Sequence, residues 1–344
     1  MKMKKLFALL LTAAMILSLV ACGEKETPSA DEDKSGSEQN GEFTYPAGDI
    51  SWELAGTAGS GPDTLFRALI NVLEPAMGKT FVPVNNMWNT ALENMLAADA
   101  DGLTISNIPT PNAFKRDLDP SNNDDPSWRD LGLVCNVVTY PNLIAVRPDD
   151  ERFANVNDLA DFVEWCKANP DQNLLVAVKS AKGADDIALY KLQDVSGLSN
   201  EQLIHLNASS ASENMASFLG GHVDVLVSNV PEALSAYNDG GLKVLAVFSE
   251  EESEFFPGAP TAKECGFDVV NGVSLGVVMN PECDDQILDA MAEQIVAATE
   301  NAEFQETLHK LGFTLNVQPR EKYAEMLEAE ETELKEIAPL IGWE

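Results

Sequence analysis

Apolar positions near the start of the folded part of the chain keep two rhythms. A short run ending in Leu54-Ala55 reads as a strand, and Leu65, Leu69 and Leu73, flanked by Phe66 and Ile70, recur at helical spacing. Pro75 and Gly78 are expected to end that helix, before a strand over Thr80 to Val84. Ala91 to Ala100 then reads as a helix, Asp101-Gly102 as a turn, and Leu103 to Ile105 as a strand. Residues 109–130, with Pro109, Pro111, Pro120 and Pro126, read as a long irregular connection, and Leu131 to Val138 as a buried strand. From Asn142 onward, strands at 143–146, 174–178, 203–206, 223–228 and 242–248 alternate with helices at 157–168, 184–195, around Met215-Phe218-Leu219, and from Pro231. A short helix is expected over Pro260 to Gly266, then a strand near 273–278 and helices at 284–299, 301–311 and 320–337. Strands alternating with helices mean parallel-rich sheets flanked by helices, an α/β fold. In the last helix Glu321, Glu325, Glu328, Glu330, Glu331 and Glu333 read as a solvated face.

Two strand-to-helix connections carry the candidate chemistry. In the first, Gly56, Gly59 and Gly61 let backbone N–H groups approach a ligand, and Pro62 presets the helical φ. Unpaired N–H groups and the positive dipole end of such a helix suit a small anion without a cationic side chain. The pattern is neither G-x-G-x-x-G nor a Walker loop, since Gly61-Pro62 stands where the phosphate-gripping lysine would be, so nucleotide binding is disfavoured. The second, Lys179-Ser180-Ala181-Lys182-Gly183-Ala184-Asp185, again joins a strand to a helix through small residues. Two such loops, one per lobe, would face each other across a cleft. Candidate ligand contacts are therefore Thr57, Ala58, Gly59, Ser60, Gly61 and Asp63 in the first loop and Ser180, Ala181, Lys182, Gly183 and Ala184 in the second. Ser106 and Asn107 join them, at the carboxyl end of a strand where open α/β sheets place ligands. Asn207 and Ser209 open a third loop, and Asn229 precedes a helix; capping alone also accounts for such residues. Trp88 reads either as an aromatic wall or as core.

The chain's beginning changes the setting. Lys2, Lys4 and Lys5 followed by the apolar run to Val20 read as an export signal over residues 1–21. Leu19-Val20-Ala21-Cys22 resembles the lipobox of bacterial lipoproteins, in which the cysteine becomes the lipid-modified N-terminus. Residues 22–44, poor in apolar side chains, read as a flexible tether spanning roughly 25 Å. Losing the three signal lysines moves the formal charge from −34 to −37. Such a field repels phosphate backbones and anionic lipid surfaces, so nucleic acid and peripheral membrane binding are excluded, and membrane association is left to the lipid anchor. Cys135, Cys166, Cys265 and Cys283 form no C-x-x-C, and an exported chain leaves both disulfides and buried thiols open. His205, His222 and His309 show no metal-ligand spacing, and no metal or cofactor is expected. After the tether roughly 300 residues remain, enough for two domains.

The order of motifs resembles the extracytoplasmic solute-binding receptors of tripartite tricarboxylate transporters, the family that includes the Bug receptors. Gly59-Ser60-Gly61-Pro62-Asp63 stands in the place of its Gly-Gly-Pro-x-Asp loop, and Met77-Gly78-Lys79 resembles its helix-ending A-L-G. Residues 97–105 resemble its A-A-P-D-G-Y-T-L, 218–225 its L-L-G-G-Q-V-D-V, and 257–266 its P-D-V-P-T-L-A-E-A-G. The chain departs from it at Leu206-Asn207-Ala208-Ser209, where P-Y-K-G is frequent, and at Met87-Trp88-Asn89-Thr90, where a Gly-rich loop is. The resemblance implies a two-lobed Venus-flytrap fold of the type II periplasmic kind, with crossover strands. Lobe 1 is expected over 45–138 plus 250–344 and lobe 2 over 139–249. It further implies a carboxylate held by amides of residues 58–63 and 180–184, and delivery to a permease of a large and a small membrane subunit. The function expected is that of a monomeric, lipid-anchored, extracytoplasmic receptor for a small organic acid, without catalysis. Its rivals are a receptor for an amino acid or a cationic solute, suggested by the acidity, and an enzyme on the same bilobal fold.

Overall fold

Strand β1 (Ile50–Ala55) is buried on both faces because parallel neighbours flank it, β2 (Phe81–Asn86) on one side and β3 (Thr104–Pro109) on the other. The computed structural model of the chain describes residues 43–119, 121, 125–208 and 210–343. The export signal, Cys22, the tether up to residue 42, and Ser209 lie outside the described residues.

Helix α1 (Gly61–Met77) follows β1 and buries Leu65, Leu69 and Leu73 completely, each worth about 2 kcal/mol. Pro75 is accommodated in its last turn, and the helix stops at Gly78, whose φ of 63° is left-handed. Trp52 of β1 lies 4.9 Å from Phe66 and 6.2 Å from Phe81, ring centre to ring centre, and anchors this core. Helix α2 (Trp88–Ala97) begins three residues before the expected start, because Trp88 packs with Leu92 and Leu96 against the opposite face of the sheet. Trp88 is thus a packing residue. Within 109–130 the chain forms helical turns, including α3 (Lys115–Leu118).

The central element is β4 (Gly132–Val146), a single strand where two were expected. From Gly132 to Pro141 it pairs with β9 (Gly272–Met279), and over its middle also with β10 (Leu315–Pro319). From Asn142 it pairs instead with β7 (Val225–Asn229), and from Leu143 with β8 (Lys243–Val247). Pro141, which has no N–H to give a ladder, falls where one set of partners ends and the next begins. On the far side of β7 lie β5 (Leu174–Val178) and β6 (Leu203–Asn207), both parallel. One half of the sheet therefore runs β2-β1-β3-β9-β4-β10 and the other β8-β4-β7-β5-β6.

Helices cover both faces of each half. In the first, α1, α8 (Asp285–Thr299) and α9 (Ala302–Lys310) share one core, while α2 and α10 (Arg320–Ile337) share another with Phe114, Trp128 and Trp343. In the second, α4 (Leu159–Ala168) and α5 (Ala184–Ser196) bury Phe162 and Leu189 on one face. Opposite them, α6 (Ala211–Leu219) and α7 (Val230–Asn238) bury Phe218 and Ala233. Residues 260–266 form turns rather than the expected helix: Thr261 bridges to Val247 and its N–H and hydroxyl both turn onto Glu264. Among the described residues no helix is long and apolar enough to cross a membrane.

Candidate functional site

The first loop runs from the end of β1 to the start of α1 and is pinned by Asp63. One carboxylate oxygen accepts the Gly59 N–H at 2.8 Å; the other accepts Asn85 Nδ2 at 2.8 Å and Arg67 Nε at 2.6 Å. Burial pushes the Asp63 carboxyl up, but these donors outweigh it and hold it below its ordinary value. Asn85 also donates to the Gly56 carbonyl, closing the loop on itself. Gly59, at φ 78°, takes the left-handed conformation that the turn requires. Asp63 thus holds the loop, and its charge is consumed there. Ser106 and Asn107 are fully buried and spend their side chains on β1: Ser106 Oγ donates to the Glu53 carbonyl, and Asn107 Oδ1 accepts the Ala55 N–H. They fix where the first loop leaves the sheet.

The second loop, between β5 and α5, is built the same way with two carboxylates. Asp185 accepts the Lys179 N–H and, at 2.6 Å, Asn142 Nδ2; Asp186 accepts the Lys182 N–H at 2.7 Å. Lys182 has φ 56°, left-handed in a residue that is not glycine, and the Gly183 N–H closes onto the Ser180 carbonyl. A Cβ at Gly183 would lie 2.3 Å from Ser180 Oγ, so the turn has no room for one. Asn271 Nδ2 donates both to Asn142 Oδ1 and to the Ala184 carbonyl, tying the start of α5 to the point where β4 changes partners. Lys182 Nζ reaches Asp119, just after α3, at 3.3 Å and the Gly342 carbonyl, beyond α10, at 2.9 Å.

Behind this loop the buried Asp185 lies within electrostatic reach of the half-buried Glu232. Burial, and then the charge of Glu232, push the Asp185 carboxyl up to about 7, against Lys179 and the hydrogen bonds that lower it. Lys179 Nζ pairs with Glu232 at 2.8 Å, and Glu232 outweighs burial to raise the ammonium above its ordinary value. Asn229 caps α7 by accepting the Glu232 N–H. Asn207 is exposed at the end of β6, where the Ala208 N–H donates to the Val178 carbonyl.

Tyr140 is the residue that both loops share. A Cβ on Gly61 would lie 3.7 Å from its hydroxyl, so the hydroxyl stands beside the start of α1. Burial, then Glu232 and Asp185, hold that hydroxyl well above its ordinary value, which puts the acid pair of the second loop within electrostatic reach. Phe313 packs edge-on against the ring at 5.3 Å, and among the described residues the O–H meets no acceptor. Tyr140 is not among the residues the sequence singles out, because the buried strand reads as ending at Val138. A Tyr-Pro pair between two buried runs was the available signal. The N–H groups of Thr57, Ala58, Ser180 and Ala181 also have no acceptor among the described residues, and all four residues are exposed.

Among the described residues no three His, Cys, Asp or Glu side chains are grouped to hold a metal ion. Cys135, Cys166, Cys265 and Cys283 are free thiols, and burial pushes the Cys135 thiol up to about 12.

Two half-sheets that share one strand, with helices on both faces of each, give the fold of the periplasmic-binding-protein class. Within that class the chain belongs to the tripartite tricarboxylate transporter receptor family, whose model matches residues 88–342. A relative, the UPF0065 protein in the gbd 5′ region of Cupriavidus necator, is 24% identical over 297 residues, covering 86% of this chain and 87% of that protein. A Rhodopseudomonas palustris protein solved with adipate superposes with a TM-score of 0.77 at 17% identity, over 87% of this chain and 99% of that one. MatC from the same organism, solved with bound malate, gives 0.72 at 17% identity, over 86% of this chain and all of that one, 100%. At these identities the structural likeness establishes the fold.

Proposed function

We propose that this chain is a lipid-anchored extracytoplasmic receptor that captures a small organic acid between its two loops and delivers it to a tripartite tricarboxylate-type permease of a large and a small membrane subunit. The observation that carries the reading is that Thr57 and Ala58 in the first loop and Ser180 and Ala181 in the second are exposed, and their N–H groups have no acceptor among the described residues. A carboxylate is the ligand group that takes several such donors at once. Malate and adipate in the two solved relatives are acids of this kind. Burial and the charge of Glu232 raise the Asp185 carboxyl above its ordinary value, which weakens its repulsion of an anion.

The lobes in this reading are residues 45–138 with 250–344, and residues 139–249, consistent with the change of strand partners along β4. Closure of one on the other is driven by a ligand that touches both only when closed. Anchoring rests on Cys22 and the lipobox-like stretch before it. One chain supplies both loops, so a monomer suffices. An enzyme is the weaker reading, since Asp186 and Gln193 occupy both ring nitrogens of His205, and His222 and His309 are exposed.

A second reading, an amino acid or other zwitterion, draws on the Asp185–Glu232 pair beside Tyr140, which could meet an ammonium. Titration calorimetry against malate, adipate, citrate, aspartate, lysine and benzoate, with native mass spectrometry of the purified protein, separates these outcomes. An acid that binds more tightly as salt screens the chain's negative field is the expected result. Binding of lysine alone, weakened by salt, or of none of the six, overturns the carboxylate reading.

A further inference from the structure

Beside the second loop, the ring of His205 sits between two acceptors. Its Nδ1 lies 2.6 Å from Asp186 Oδ1 and its Nε2 lies 2.9 Å from Gln193 Oε1. The orientation of the Gln193 amide is set by its own nitrogen, which donates to the Leu203 carbonyl at 3.0 Å and to the Ser199 carbonyl at 3.5 Å. Turning the amide over would press its oxygen against both carbonyls, so oxygen faces the ring. On the other side the second oxygen of Asp186 accepts the Lys182 N–H, which favours the ionised carboxylate. A neutral imidazole has one N–H and would leave a lone pair facing one of these oxygens. Both nitrogens donate only in the imidazolium.

The surroundings keep this charge local. The His205 side chain is 10% exposed, that of Asp186 4%, and the Tyr190 ring lies 4.4 Å from the imidazole, centre to centre. Burial and then Asp186 raise the Tyr190 hydroxyl above its ordinary value, so that neighbour is neutral. On β5, the strand paired with β6, Val176 stands opposite His205 and adds no charge. Among the described residues Asp186 is the carboxylate in direct contact with the ring, and it is also the group that accepts the Lys182 N–H at the left-handed backbone there.

We propose that His205 is a positioning residue of the ligand site: held as an imidazolium, it fixes Asp186, and Asp186 fixes the Lys182 turn that shapes the second loop. The proposal rests on reading residues 180–184 as a ligand loop, but its test needs no ligand, so calorimetry can refute that reading separately. Long-range 1H–15N spectra of the full chain at near-neutral pH read the ring directly. Exposed His222→Gln and His309→Gln variants assign His205 by elimination. The expected result is two protonated nitrogens; a neutral tautomer overturns the proposal. Raising the pH until the ring loses its proton should lower the protection of the Lys182 amide from hydrogen exchange about tenfold, in step with the ring signal, while the Ala262 amide, bonded to the Val247 carbonyl away from this loop, serves as the control. Lys182 protection that ignores the ring titration overturns the coupling. In Gln193→Leu the ring should lose its proton at lower pH and Lys182 protection should follow it down; protection unmoved from the parent profile contradicts the proposal.

Discussion

Replacing Asp63 with asparagine tests whether the first loop is pinned as the structure indicates. All three partners of the carboxylate are donors: the Gly59 N–H, Asn85 Nδ2 and Arg67 Nε. An amide offers one acceptor and one NH2 group, so Asp63→Asn must turn a donor onto a donor at one of its two ends. Hydrogen bonds to a charged group contribute about 1.5–3 kcal/mol each. Arg67 has a side chain 44% exposed and its contact with Asp63 is screened, so it adds only a few tenths of a kcal/mol. The remaining bonds, from the Gly59 amide and the Asn85 amide, set the cost near 2 kcal/mol. For a chain of this size that corresponds to about 4 °C in Tm.

The sign of the pH dependence sharpens the test. The folded carboxyl sits below its ordinary value, so its contribution is present above the unfolded value of 3.8 and is lost as the pH falls through the folded value. Asp63→Asn should therefore melt about 4 °C below the parent near neutrality, and the two curves should converge in acid. Thermal and urea melts from neutral to acid pH measure both. Equal melting near neutrality, or a deficit that persists unchanged in acid, refutes the pin.

Asp185→Asn should show the opposite trend. Its folded carboxyl is raised from 3.8 to about 7, so the parent loses stability as the pH climbs through that window, and the asparagine variant should gain on it there; parallel melting curves count against this. Gly276→Ala should cost about 1–3 kcal/mol, because its Cβ would lie 2.2 Å from the Tyr323 hydroxyl, with Tyr323 completely buried; an unchanged urea midpoint would show that the ring can move aside. Tyr140→Phe should keep the parent's stability to within about 0.5 kcal/mol, since the hydroxyl has no partner among the described residues, yet weaken binding of the acid identified by calorimetry about fivefold. Equal affinity would remove Tyr140 from the site.

Most of the fold could be read from periodicity because its helices carry long apolar stripes and its strands are buried runs. What escaped reading was set by tertiary partners. Thr139-Tyr140-Pro141-Asn142 has the composition of a turn, and it continues β4 only because β9 and β7 take over from one another beside it. β10 alternates apolar and polar only over Leu315-Asn316-Val317-Gln318, too short a run to be told from a loop, and is half-exposed; pairing to β4 makes it a strand. The two glycine-bearing loops were legible as loops, since small residues before an amphipathic helix have few other uses. The fate of their acids was not. Asp185 meets an asparagine 43 residues before it, and only that approach and the burial around it make its carboxyl unlike that of Asp63.

That contrast bears on how so acidic a chain, with a formal charge of −34, can hold an acid. Each loop turns a carboxylate of its own helix back onto loop amides: Asp63 onto Gly59, Asp185 onto Lys179, Asp186 onto Lys182. Each bond removes one donor that a ligand would otherwise take, and in exchange fixes the backbone on which the remaining donors stand. Asp63 is fully compensated by its three donors. Asp186 accepts the Lys182 N–H with one oxygen and meets the His205 ring with the other. Burial, and then the neighbouring Glu232, raise the Asp185 carboxyl above its ordinary value. If the loops hold an anion as proposed, the raised Asp185 carboxyl couples binding to its protonation. An anion bound beside Tyr140 should raise Asp185 further and be accompanied by proton uptake near pH 7, seen as a dependence of the binding heat on the ionisation enthalpy of the buffer. An ammonium in the same place would release a proton instead, so the sign of the proton exchange, measured in two buffers, discriminates between the two ligand classes independently of affinity.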